Sequence, residues 1–159
     1  MTAASWTKTT NSEAETISFG QSLAPLLQAA DVIVLTGDLG AGKTHFTKGV
    51  AAGLGVQDDV TSPTFNILLV YDGDFLPLNH FDLYRLDDAD ELIDIDYAAT
   101  LESDGVSLVE WGDKFPEAMP MDYLLVNIAL VSGEERLVTI TPEGPRSEEL
   151  ARVWKANQS

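Results

Sequence analysis

The apolar positions of the chain fall into alternating blocks with helical and strand spacing. Ser12-Glu13-Ala14-Glu15 predicts a capping box, with Ser12 as N-cap and Glu15 reaching back to its amide. The helix it opens carries Ile17, Leu23, Leu26, Leu27 and Ala30 on one side, and Pro25 within it predicts a kink or a split. Val32-Ile33-Val34-Leu35-Thr36 is a continuous β-branched run, the pattern of a strand buried on both faces. A glycine-rich loop and a helix from about Lys43 to Leu54 follow, the helix ending at Gly53/Gly55. Phe65–Tyr71 and Phe75–Phe81 read as strands joined through Asp72-Gly73, a hairpin signal. Residues 87–104 read as an acidic surface helix, and Val106–Glu110 as a short strand ending in a carboxylate. Tyr123–Val131 and Arg136–Thr141 read as a second hairpin, and Ser147–Ala156 as a terminal helix. The polar residues 1–11 predict a frayed end.

Helices alternate with strands early and hairpins intervene later, which predicts an α/β fold with a mixed parallel and antiparallel sheet. The expected organisation is a flexible N-terminus (1–11), one domain (12–141) and a helical tail of the same domain (142–159). A chain of 159 residues fits one ordinary domain. Cysteine is absent, so thiol nucleophiles, Cys-ligated zinc and iron–sulfur clusters are excluded. No apolar run approaches the roughly 18 residues of a membrane span, and the first residues lack a signal-peptide pattern. A cytoplasmic location is expected.

The loop Gly37-Asp38-Leu39-Gly40-Ala41-Gly42-Lys43-Thr44 satisfies G-x-x-x-x-G-K-[S/T] between an apolar strand and a helix. Its glycines let the backbone curl, so that the amides of Asp38, Leu39, Gly40, Ala41 and Gly42 turn inward onto phosphate oxygens. Lys43 reaches the β- and γ-phosphates, and the Thr44 hydroxyl ligates Mg²⁺. The sequence therefore predicts a nucleoside triphosphate site in a three-layer fold like that of P-loop NTPases. An Asn-Lys-x-Asp guanine reader is missing, so guanine preference is unsupported. Two strand ends offer a second carboxylate for the metal or the water: Val106–Glu110 ends in Glu110 and Phe81 is followed by Asp82. Thr61-Ser62-Pro63-Thr64 lies where P-loop proteins often carry a γ-phosphate-sensing hydroxyl, or is simply a proline turn. His80 is either a general base or a hydrogen-bonded packing residue, and packing is the expectation.

Leu35–Thr44, Thr61–Phe65, His80-Phe-Asp-Leu-Tyr-Arg-Leu86 and Leu108-Val-Glu-Trp-Gly112, in this order, resemble the TsaE (YjeE) family of bacterial P-loop ATPases. The resemblance covers about residues 12–141. It implies a role in making threonylcarbamoyladenosine in tRNA, in which ATP hydrolysis supports the TsaD–TsaB pair and TsaD performs the transfer. It further implies that Lys43 and the Gly40–Thr44 backbone bind phosphates and that Thr44 with Glu110 holds Mg²⁺. Asp82 would position the metal or the attacking water, and Trp111 would sit against the nucleotide. Thr61–Thr64, with Thr64, would report on the γ-phosphate. Glu13 and Arg136 are the candidates for contacts near the base or the phosphates. His45 departs from the family pattern and reads as a surface or supporting residue.

Nine basic residues against 26 acidic ones give a net charge of −17, which repels a phosphate backbone. Contacts with tRNA are therefore expected only through partners. Two other functions fit the loop: a small-molecule kinase using Asp82 as base, and a nucleotide-binding module that does not hydrolyse. A kinase of two phosphorylated substrates needs several arginines, and only Arg85, Arg136, Arg146 and Arg152 exist here.

Overall fold

The computed structural model describes residues 5–37, 42–60 and 67–158. Strands β1 (Trp6–Thr10), β2 (Val32–Thr36), β3 (Leu68–Tyr71), β4 (Leu78–Asp82), β5 (Val106–Glu110), β6 (Tyr123–Ser132) and β7 (Glu135–Glu143) form one sheet. Its order is β1-β7-β6-β2-β5-β4-β3. The four inner strands β6, β2, β5 and β4 run parallel, whereas β1, β7 and β3 are antiparallel additions at the edges. Helices are α1 (Glu13–Leu23), α2 (Lys43–Gly53), α3 (Glu91–Asp94), α4 (Tyr97–Leu101) and α5 (Pro145–Ala156). The fold is thus α/β with a mixed sheet.

Two cores make the layering explicit. On one face Phe19 and Leu23 of α1, Phe46 and Val50 of α2, and Leu150 and Trp154 of α5 pack on Ile33, Leu35, Leu108 and Val126. On the other, Leu92 of α3 and Tyr97 and Leu101 of α4 pack on Val32, Val34, Phe81 and Val109. Because β2 lies between β5 and β6 with helices on both sides, Val32–Leu35 are all buried, which is why its sequence is apolar throughout. Among the described residues no helix is long and apolar enough to cross a membrane.

Several expectations change. Residues 6–10 are a strand rather than a frayed end: Trp6 is buried, its Nε1–H donates to the Ala151 carbonyl at 3.1 Å, and β1 pairs with β7 throughout. Ser12 caps α1 by accepting from the Glu15 amide at 3.1 Å, but Glu15 reaches back to the amide of Asn11, not Ser12. Pro25 does split the first helix, which tightens into a 3-10 turn over Ala24–Leu26. Ala30 is consequently past the helix, exposed and at φ +70°. Asp72-Gly73 is not a two-residue turn, since β3 and β4 are separated by residues 72–77 and Gly73 bridges Val56. Residues 65 and 66 of the expected strand lie outside the described residues. The acidic stretch is two short helices, broken where Asp96 turns left-handed at φ +52°. The segment 142–159, read as a tail, carries the end of β7 and α5, whose Trp154 is fully buried.

Candidate functional site

The site is assembled at the carboxyl ends of the parallel strands, where α/β folds place their ligands. The chain leaves β2 through Gly37, pressed so close to β6 that a Cβ there would stand 2.2 Å from the Ile128 carbonyl oxygen. Just before it, Thr36 Oγ1 donates to Asn127 Oδ1 at 2.8 Å, which pins the strand end to β6. Gly42 then caps α2 in a left-handed conformation, φ +103°, that L side chains rarely adopt. Helix α2 begins at Lys43, directly after Gly42, and its amino end, whose first N–H groups have no partner within the helix, carries a local preference for anions.

Lys43 is only 6% exposed, unusual for a lysine, and the cause is its two partners. Its Nζ donates to the Gly37 carbonyl at 2.6 Å and lies 4.4 Å above the centre of the Trp111 ring. Trp111 follows β5 in a left-handed conformation, φ +62°, and its amide donates to Leu35 at 3.3 Å. Tyr84 leans on the same ring, with centroids 5.0 Å apart.

Strand register brings the carboxylates alongside. Glu110 is paired with Leu35 of β2 on one side and with Asp82 of β4 on the other. Paired parallel residues share a face, so Glu110 and Asp82 stand on the face that α2 covers. Glu110 is buried, and its Oε2 is 2.6 Å from Nε2 of His80, which is wholly buried. His80 is thus a hydrogen-bonded residue of the interior, as expected, and its partner is Glu110. Asp82 is partly exposed and accepts from the Tyr84 amide at 3.0 Å. Thr44 occupies the first turn of α2 and is half-buried.

Glu13 and Arg136 both reach the start of α2. Glu13 Oε2 is 3.6 Å from His45 Nε2, and Arg136 Nε is 3.8 Å from the place a Gly42 Cβ would occupy. Arg136 Nη1 donates to the carbonyls of Gly133 and Glu135 at 2.7 and 3.2 Å. Of the sequence candidates, Glu13, Gly42, Lys43, Thr44, Asp82, Glu110, Trp111 and Arg136 thus converge on one end of the sheet. Asp38, Leu39, Gly40 and Ala41, and Thr64 with the rest of 61–64, lie outside the described residues.

Among the described residues no three His, Asp or Glu side chains gather into a ready-made cation cage. Two carboxylates and a hydroxyl fit instead a small hard cation that arrives with phosphates and keeps water ligands, the habit of Mg²⁺. The His80–Glu110 bond was not legible in the sequence, because 30 residues separate the two and only the β4–β5 register joins them. The Tyr84–Trp111 contact was hidden for the same reason.

Residues 10–138 match the family model for the threonylcarbamoyl adenosine biosynthesis protein TsaE. The chain is similar to the tRNA threonylcarbamoyladenosine biosynthesis protein TsaE of Bacillus subtilis, with 42% identity over 143 residues, 90% of this chain and 89% of the relative. To the same-named protein of Streptomyces coelicolor it is 46% identical over 134 residues, 80% of this chain and 90% of the relative. Its fold superposes on a crystal structure of Bacillus subtilis YdiB with a TM-score of 0.85 and 34% identity, covering 100% of this chain and 99% of that one.

Proposed function

The chain belongs to the TsaE family, and on that footing we propose that it is a Mg²⁺-dependent ATPase supporting threonylcarbamoyladenosine modification of tRNA in the cytoplasm. Its partners in this reading are TsaD- and TsaB-like proteins, with tRNA met only through the complex. The observation that carries the proposal is the placement of Lys43: a buried ammonium at the amino end of α2, over the ring of Trp111, which directly follows strand-terminal Glu110, itself in register with Asp82. An ammonium with a carbonyl and a π-face as its partners is held ready for a ligand with stronger acceptors, and phosphate oxygens are such acceptors.

Hydrolysis at this site is positioning plus electrostatics. Loop amides and the α2 amino end hold the phosphates, and Lys43 stabilises charge spreading over the γ-phosphoryl oxygens. Thr44 and Glu110 would hold Mg²⁺, which supplies further charge neutralisation when bound. Asp82, in register with Glu110 and less buried, is the group to orient the attacking water. Trp111, whose ring lies under the Lys43 ammonium, would sit against the nucleotide, and Glu13 and Arg136 would lie near the base or the phosphates. Arg136 spends its Nη1 on carbonyls of its own hairpin, so hydrolysis by the chain alone is slow and a partner completes the charge.

The test is phosphate release from ATP, alone and with a TsaD–TsaB pair, for wild type and Lys43→Ala. Release that is weak alone, rises with the pair and disappears in Lys43→Ala supports the proposal. No release in either setting refutes hydrolysis. Turnover by the chain alone at about 1–100 s⁻¹, the range of ordinary kinases, refutes partner gating.

A further inference from the structure

His80 lies inside β4, flanked in register by Leu69 and Leu108, with no solvent exposure. One ring nitrogen, Nε2, is spent on Glu110 Oε2 at 2.6 Å. The other, Nδ1, is the buried side-chain polar atom that has no hydrogen-bond partner among the described residues. A position needed only for packing would be filled at less cost by leucine or phenylalanine, which leave no polar atom stranded. The stranded nitrogen also identifies the proton's place. A ring protonated at Nδ1 would bury an unpaired N–H donor, the rarest kind of orphan, whereas a bare Nδ1 leaves only an acceptor unpaired. The arrangement of least cost is a neutral ring whose Nε2–H donates to the Glu110 carboxylate.

We infer that His80 is a positioning residue for Glu110. It fixes the rotamer of a buried carboxylate by one oxygen, Oε2, and leaves Oε1 as the oxygen with no protein partner among the described residues. Histidine and carboxylate orienters of this kind behind a cation ligand govern its affinity and geometry. The inference rests on the proposed function in taking Glu110 as the carboxylate that meets the cation, and its test separates the two.

The substitutions exploit atom positions. Nε2 of glutamine lies the same number of bonds from Cα as Nε2 of histidine, so His80→Gln keeps a donor for Glu110; His80→Asn is also polar but too short. Both are measured for ATP affinity by calorimetry with Mg²⁺ and with EDTA, and for melting temperature. His80→Asn should weaken Mg²⁺–ATP binding by about 10–100-fold, leave the EDTA affinity unchanged, and be rescued by His80→Gln. Long-range ¹H–¹⁵N spectra, simple because the chain has two histidines and His45→Gln assigns the other, should show the His80 ring protonated at Nε2. Equal losses with Mg²⁺ and EDTA, wild-type Mg²⁺ dependence in His80→Asn, or a ring protonated at Nδ1 overturns the inference. A wild type that binds no nucleotide refutes the proposed function instead. The ring then still decides, since Nε2 protonation that persists in wild type and is lost in Glu110→Ala upholds the hold on Glu110, and any other state overturns it.

Discussion

Replacing Gly49 by alanine sets two physical effects of opposite sign against each other. Gly49 lies inside α2, where alanine is the better helix former by about 0.8–1 kcal/mol. The same Cβ would stand 1.9 Å from the Ile17 carbonyl oxygen of α1 and 2.9 Å from the Gln21 amide nitrogen. Real contacts of this kind do not fall below 3.0 Å, so α1 must retreat by more than 1 Å along its length. The obstruction is backbone, held in the hydrogen-bond ladder of α1, and cannot swing aside as a side chain would. Overpacking costs about 1–3 kcal/mol, and a rigid neighbour places this case at the upper end. Subtracting the propensity gain leaves a loss of about 2 kcal/mol, or a melting temperature lower by roughly 4–8 °C for a chain of this size. The two helices also meet at Gly20, whose Cβ would stand 2.4 Å from the Phe46 carbonyl oxygen, so Gly20→Ala should act in the same direction. The assay is thermal unfolding by circular dichroism with urea titration as a check. A melting temperature equal to or above that of wild type in Gly49→Ala refutes the close helix contact, because propensity alone would raise it.

Glu110→Gln should weaken Mg²⁺-dependent ATP binding more than Asp82→Asn does, since Glu110 is the more buried of the registered pair; calorimetry giving equal or reversed effects refutes the assignment. Arg146 grips buried Asp31 through Nε and Nη2 at 3.0 and 2.8 Å and donates to the Leu26 carbonyl. Arg146→Ala leaves that carboxylate with the Gln28 amide as its remaining donor, at a cost of about 2–3 kcal/mol, below the full value for a buried pair because the guanidinium is partly exposed; a urea midpoint within error of wild type refutes it. Burial pushes the Tyr97 phenol from 10.0 up to about 12. Below pH 10 both states keep the proton, but between 10 and 12 only the folded state does, so stability falls there by about 2–3 kcal/mol. Tyr97→Phe should remove that part of the fall in urea titrations across this range, and parallel curves for the two proteins refute it.

Elements defined by strong local contrast were legible in the sequence. Val32–Thr36 was readable because a strand covered on both faces carries no polar residue, and Pro25 announced the break after α1 because its ring cannot continue a helix. Strand β1 was not, since only Trp6 and Thr10 of its five residues are buried and an edge strand needs little apolar pattern. Asp72-Gly73 misled because Gly73 answers a different need: a Cβ there would meet the Leu76 and Leu54 carbonyl oxygens at 2.2 and 2.7 Å, so the glycine serves close packing against the end of α2. In the site, Gly42, Lys43 and Thr44 were singled out by motif spacing, whereas the contacts of His80 with Glu110 and of Tyr84 with Trp111 exist only through the alignment of separate strands and loops.

The aromatic cluster beneath α2 has a consequence for the order of synthesis. Trp154 of α5 stacks on Phe19 of α1 with centroids 4.4 Å apart, meets Trp6 of β1 at 5.2 Å, and lies 6.3 Å from Phe46 of α2. The helix that starts at Lys43 therefore lacks part of its packing until residue 154 has left the ribosome. At about 5–20 residues per second, the roughly one hundred residues between them take about 5–20 s. During that interval Trp6, Phe19 and Phe46 lack the indole that packs against all three in the folded protein.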